Sequence, residues 1–225
     1  LSVACTDVKS SSINTDGIYL NYSVSTEGEG TGTTANVLLR VGGFTSTTYV
    51  DLEEGDHLYV DALDENKELS HQGLGVMHSY LGEFDADTVG AEFTLNFERS
   101  NLDSAPNSVA TLPLGFTLSA PQAGTIISRS DDTAELVISW DNEGADTMYI
   151  EVEGSCFNYY VAEESSDSGT HSIPGSYFSE NETESNSCEA TVTVERRKVG
   201  VLDPNFGEGE VFGSQLRTAT VQIDQ

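Results

Sequence analysis

Basic side chains are scarce in this sequence. Its 225 residues include 9 lysines and arginines against 38 aspartates and glutamates, for a formal net charge of −29. Proteins bind nucleic acid by replacing phosphate counterions with Lys and Arg, so this balance excludes nucleic acid as a partner. It also sets the body of the chain against anionic membrane surfaces. The one basic cluster, Arg196-Arg197-Lys198, reads as a solvated strand end beside acidic neighbours. No run approaches the ~18 apolar residues of a membrane-crossing helix. Nor does any stretch of ten or more residues repeat its apolar positions with period 3.6, so long amphipathic helices are not expected.

Catalytic and metal motifs are also missing. No Cys-x-x-Cys or His-Glu-x-x-His spacing occurs among Cys5, Cys156, Cys188, His57, His71, His78 and His171, which argues against a zinc site. His71 and His78 are seven apart, which on one regular strand puts them on opposite faces. Gly169-Thr170-His171-Ser172-Ile173 is the nearest approach to a Gly-x-Ser-x-Gly elbow, without the strand–turn–helix context which that chemistry needs. The glycine-rich run Gly28-Glu29-Gly30-Thr31-Gly32 precedes no helix that could bind an anion, and reads as a hairpin loop. No enzyme activity is therefore expected, a site assembled in space being the case that motif reading leaves open.

Acidity is abundant in their place. Such charge keeps a chain soluble but destabilises its compact state by self-repulsion. The screening length falls from ~8 Å at 0.15 M salt to ~3 Å at 1 M, so the composition suits a marine or halophilic setting. Asp61 with Asp64, Asp131 with Asp132, and Asp141 through Asp146 offer oxygens that could hold calcium between strands. None follows the twelve-residue EF-hand pattern, and plain surface acidity is the alternative. No other cofactor is expected.

Alternation with period two dominates: Ile18, Leu20, Tyr22, Val24; Leu58, Val60; Phe93, Leu95, Phe97; Leu136, Ile138, Trp140; Met148, Ile150, Val152; Ala190, Val192, Val194; and Leu216, Ala219, Val221, Ile223. Each reads as a half-buried strand. Turn clusters separate them, such as Glu53-Glu54-Gly55-Asp56, Asp141-Asn142-Glu143-Gly144 and Gly207-Glu208-Gly209. Many short strands at this spacing predict an all-β protein of two immunoglobulin-like β-sandwich domains in tandem. Pro113 cannot donate to a central ladder, which places a boundary there, with domains over 6–113 and 114–225. Pro121-Gln122-Ala123-Gly124, a strand ending in Trp140, and then Met148-Tyr149-Ile150-Glu151-Val152 resemble the opening of a fibronectin type III or immunoglobulin-like domain. The resemblance covers about a sixth of the chain and implies a fold, not a function.

Cys156 and Cys188 sit in polar contexts of the second half, and a disulfide between them is the simpler reading, two free thiols the other. It would stabilise the fold by roughly 3–4 kcal/mol, would pin the acidic stretch from Glu163 to Ser187, and would imply an oxidising compartment. Leu1-Ser2-Val3-Ala4-Cys5 resembles the end of a bacterial lipoprotein signal. It implies that residues 1–5 are signal remnant plus anchor, with lipid on Cys5 as the only membrane contact and the outer membrane as destination. Aromatic residues cluster at Phe157-Asn158-Tyr159-Tyr160 and Tyr177-Phe178. On a strand, Phe157 and Tyr159 share one face and Tyr160 takes the other. Tyr159, Tyr160 and Tyr177 are thus candidate ligand contacts, core packing being the alternative. The reading as a whole is a surface binding or adhesion module contacting a protein or glycan. A spacer without a ligand and an extracytoplasmic hydrolase are its competitors.

Overall fold

The structure is a computed structural model. It describes residues 6–224 except 29, 54, 75, 76, 132, 143–145 and 181–186. Strand β1 (Thr6–Lys9) leads through two single turns of 3-10 helix to β2 (Ile18–Thr26). Then come β3 (Thr33–Val41), β4 (Thr48–Asp51), β5 (His57–Ala62), β6 (Glu65–Glu68), β7 (Ser70–Leu74), β8 (Met77–Phe84), β9 (Glu92–Glu98) and β10 (Ala105–Thr111). Beyond Pro113 follow β11 (Leu118–Ala120), β12 (Thr125–Ser128), β13 (Glu135–Trp140), β14 (Thr147–Gly154), β15 (Tyr160–Glu164) and β16 (Thr170–Pro174). One helical turn and a half, α1 (Gly175–Glu180), precedes the long strands β17 (Cys188–Val199) and β18 (Glu208–Asp224). The protein is all-β in several sheets.

The chain divides into two compact units. One comprises Leu1–Pro113 with Lys198–Ser214, the other Leu114–Arg197 with Gln215–Gln225. The first unit leaves off after Pro113 and resumes at Lys198, so the second unit is not the continuous span 114–225. Residues 198–214 pack on the first unit through specific contacts. Val109 and Val201 exchange backbone hydrogen bonds of 2.8 Å in both directions. Asp203 Oδ2 accepts from the Asn107 amide at 2.8 Å, and Phe206 stacks on Phe97 with ring centroids 6.0 Å apart. Glycine makes this approach feasible. A Cβ on Gly207 would lie 2.0 Å from the Asp16 carbonyl oxygen, and one on Gly213 would lie 2.1 Å from that of Thr111. The run Gly207-Glu208-Gly209, read as a turn, is instead the entry to β18.

In the first unit, β1, β4, β3 and β2 run in that order to the first half of β18, with β8 also on β3 and β7 on β8. The second sheet is β10-β9-β5-β6. Alternation decides which side chains meet between them: Leu20, Tyr22, Val24, Val37 and Leu39 on one face, Leu58, Val60, Phe93, Leu95 and Phe97 on the other, all buried. Each contributes about 1.5–3 kcal/mol by leaving water. The Tyr22 hydroxyl, whose titration burial pushes far up, donates to the Phe93 carbonyl at 3.2 Å. Arg99 is buried with its guanidinium on Asp56 Oδ2 at 3.3 Å and on the Ile13 carbonyl and Thr15 Oγ1 at 3.0 and 2.9 Å. β7 and β8 form an antiparallel hairpin in which Gly73 faces His78. His71 and His78 therefore come together, against the expectation of opposite faces, because they lie on two strands and not on one.

In the second unit, β17, β14 and β15 pair antiparallel, β12 runs parallel to the end of β18, and β11-β13-β16 form a small sheet. Leu136, Ile138, Met148, Ile150, Val152, Ile173, Phe178, Val192, Val194, Val221 and Ile223 fill its core. Arg196 is not solvated as its basic cluster suggested. It is fully buried, paired with Asp167, whose side chain is equally buried, at 2.7 Å. It continues the inward parity of Ala190, Val192 and Val194, and a charge can follow that parity only where a counter-charge awaits it.

Candidate functional site

The Cys156–Cys188 disulfide exists, with 5.6 Å between its Cα atoms. It joins the turn after β14 to the start of β17, and the Cys156 amide points at Cys188 Sγ at 3.2 Å. The stretch it encloses is not one acidic loop: it contains β15, β16 and α1. Gly154 is required beside it, since a Cβ there would lie 2.6 Å from the Phe157 ring and 3.0 Å from Cys188 Sγ.

This anchorage sets the faces of the aromatic run. Phe157 is drawn inward and meets Phe178 edge-on at 4.9 Å. β15 begins only at Tyr160, so Phe157 and Tyr159 do not share a face as strand alternation suggested. Tyr159 points outward, 53% exposed, and Val161 is 57% exposed. Tyr160 and Tyr177 pack edge-on at 4.9 Å against the core, and the Tyr177 hydroxyl lies 3.2 Å from the Tyr159 carbonyl. The fold thus brings the three tyrosines together but presents Tyr159 far more than the other two. Partial burial, with a hydrogen bond and charge from Glu151 and the charge of Glu153, pushes its hydroxyl up to about 12. Tyr159 is accordingly a neutral donor over the acidic outer face of β14, where Val161 stands opposite Glu151 and Glu163 opposite Tyr149. Among the described residues β15 has β14 as its one strand neighbour, so its other edge carries unpaired backbone groups.

Behind this face, Glu164 Oε1, His171 and the Tyr160 hydroxyl form a hydrogen-bonded row, at 2.8 Å to Nδ1 and 2.6 Å from Nε2. Acid, base and hydroxyl stand in the order of a nucleophilic triad. Burial first, then Tyr177 and Glu164, raises Tyr160 above the ordinary phenol range, the opposite of nucleophile activation. The row ties β15 to β16.

The acidic candidates fall in separate places. Asp61 and Asp64 are exposed on the β5–β6 hairpin of the first unit, where Asn66 Nδ2 donates to Asp61. In the second unit Asp141 is exposed and its Oδ2 accepts from the Thr117 amide at 3.0 Å, while Asp146 is half-buried beyond the undescribed 143–145. Asp131 is lowered by two hydrogen bonds from Thr133, and Asp132 and Cys5 lie outside the described residues. The sequence reading missed Arg196 and the pairing of His71 with His78. The first was legible in strand parity; the second depends on a hairpin that alternation alone does not locate.

No protein-family model matches the chain, and no curated protein does. Among solved structures it is similar to one described as "Structural insight into host cell surface retention of a 1.5-MDa bacterial ice-binding adhesin", at 12% identity and a TM-score of 0.24. The match covers 91% of this chain and 64% of that one, so the chain spans less than two thirds of its length. At that level of superposition the likeness determines neither topology nor function. Among the described residues no helix is long and apolar enough to cross a membrane.

Proposed function

We propose that the protein is an exported, non-catalytic binding or adhesion module of a cell envelope, built from immunoglobulin-like sandwiches. It contacts a surface protein or glycan through the outer face of β14 and β15, and a lipid on Cys5 supplies its attachment. The observation that carries this reading is the outward pair Tyr159 and Val161, both more than half exposed beside the disulfide. An amphipathic aromatic next to an exposed aliphatic is the composition of a contact surface. The disulfide fits an oxidising, extracytoplasmic location. The test is recovery of envelope components on immobilised native protein and on the Tyr159→Ala/Val161→Ser variant, both verified as folded. At least tenfold weaker retention by the variant supports the reading; equal recovery by both, as for a spacer without a ligand, removes it. Incorporation of a labelled fatty acid into the native chain and not into Cys5→Ser reads the attachment separately.

A further inference from the structure

A second cluster lies in the first unit and plays no part in the contact face. Asp51 ends β4, His71 stands on β7 and His78 on β8. His71 Nε2 and His78 Nδ1 are 2.7 Å apart, with the rings stacked at 5.0 Å and 21°. Asp51 Oδ1 is 3.7 Å from the same His78 Nδ1. The three donor atoms all lie within 4.8 Å of one another. His78 is 7% exposed, and its Nε2 is buried without a hydrogen-bond partner, the Asp7 carboxylate standing off at 3.9 Å. Tyr80, whose ring lies 5.4 Å from His71, is held by its hydroxyl between the Leu52 amide at 3.0 Å and the Val50 carbonyl at 3.2 Å. The floor of the cluster is therefore fixed to the strand that carries Asp51.

Two neutral imidazoles cannot satisfy this arrangement. If His78 Nδ1 accepts from His71, its buried Nε2 carries a proton with no acceptor in reach. If Nδ1 donates, Nε2 becomes a buried lone pair with no donor. A metal on Nδ1 would use the lone pair that converges with His71 and Asp51 and would fix the tautomer with Nε2–H towards the Asp7 carboxylate 3.9 Å away, the order in which an outer carboxylate orients a ligating ring.

We propose that Asp51, His71 and His78 form a binding site for one divalent transition-metal ion of the zinc class, with Asp7 orienting His78 from behind. Two imidazoles and one carboxylate suit zinc and its neighbours, whereas calcium and magnesium prefer oxygen. Tetrahedral zinc with bonds of ~2.0–2.1 Å separates ligand nitrogens by about 3.3 Å. His71, the exposed member, needs only a small rotation to open the 2.7 Å contact to that spacing. Lys9 occupies Asp51 Oδ2 and leaves Oδ1 to the metal. Solvent completes the coordination shell.

The test is calorimetric titration of zinc chloride into the full chain after chelator treatment and desalting. One zinc per chain is expected, with affinity unchanged by a tenfold excess of calcium. His71→Ala, at an exposed position that leaves the core intact, and Asp51→Asn should each weaken binding at least tenfold. Zinc-edge X-ray absorption should show two imidazoles in the shell. Absence of zinc binding, displacement by calcium, native affinity in His71→Ala, or an all-oxygen shell would each overturn the proposal.

Discussion

Arg196 and Asp167 meet at 2.7 Å with both side chains wholly removed from solvent. The guanidinium also donates to the carbonyls of Leu114, Gly115 and Asp141 at 3.1, 3.0 and 2.6 Å. The Asp167 carboxylate takes the Trp140 indole N–H at 2.6 Å as well. Breaking such a pair leaves an uncompensated charge, which costs about 3–5 kcal/mol. Arg196→Met should lower the urea midpoint accordingly, and the double change with Asp167→Leu should recover part of the loss.

Asp56 governs the acid limb of stability. Burial, the largest influence, pushes its carboxyl up; the Ser100 amide, the Ser10 hydroxyl and Arg99 together outweigh it and leave it lowered. A depressed carboxyl binds fewer protons folded than unfolded. Its contribution is therefore complete above the unfolded value of ~3.9 and is lost as pH falls through the folded value. Asp56→Asn should be less stable than the native protein near neutrality and should decline less steeply below about pH 4, as read by urea denaturation across that range.

Reduction of the disulfide should cost roughly 3–4 kcal/mol in the chain-entropy account, given the 32-residue separation of Cys156 and Cys188. Thiol counting without reductant should find neither cysteine free. The reduced protein should also lose the Tyr159-dependent retention, because Phe157 is no longer held inward beside Cys188.

Salt should stabilise the native state. Three of the nine basic residues, Arg99, Arg129 and Arg196, are buried, so the surface is more lopsided than the composition states. Tm should climb as sodium chloride rises from low concentration towards ~1 M, where screening shortens to ~3 Å. A Tm indifferent to salt would sink this reading.

Gly213→Ala should destabilise by at least the 1–3 kcal/mol typical of overpacking, roughly, since the added carbon has backbone and not a yielding side chain in front of it. Chemical denaturation against the native chain measures it.

Strand positions were legible wherever alternation was strong. Phe93, Leu95 and Phe97 lie in β9, and Met148, Ile150 and Val152 in β14, all buried as their parity required. Partners that depend on distant segments were not. Asp167, between β15 and β16, as the counter-ion of Arg196, and Asp51 beside His71 and His78, are contacts between segments separated in sequence. Local pattern carries no information on such meetings. Gly207 and Gly209 misled for a related reason: glycine marks close approach of a second backbone as readily as it marks a turn. Phe157 followed the disulfide and not strand parity.

The chain passes between its two units three times, at Pro113, at Arg197 and at Ser214. A nascent polypeptide released from its N-terminus onward therefore cannot finish the first unit at residue 113. The strand half that completes it begins only at Glu208, after most of the second unit has been made. Neither unit can close before the residues from Glu208 onward have been made, so a chain still open over both units is the normal precursor. That is the form in which a polypeptide can be threaded through a narrow translocation channel, its folding deferred to the far side, where Cys156 and Cys188 can be oxidised.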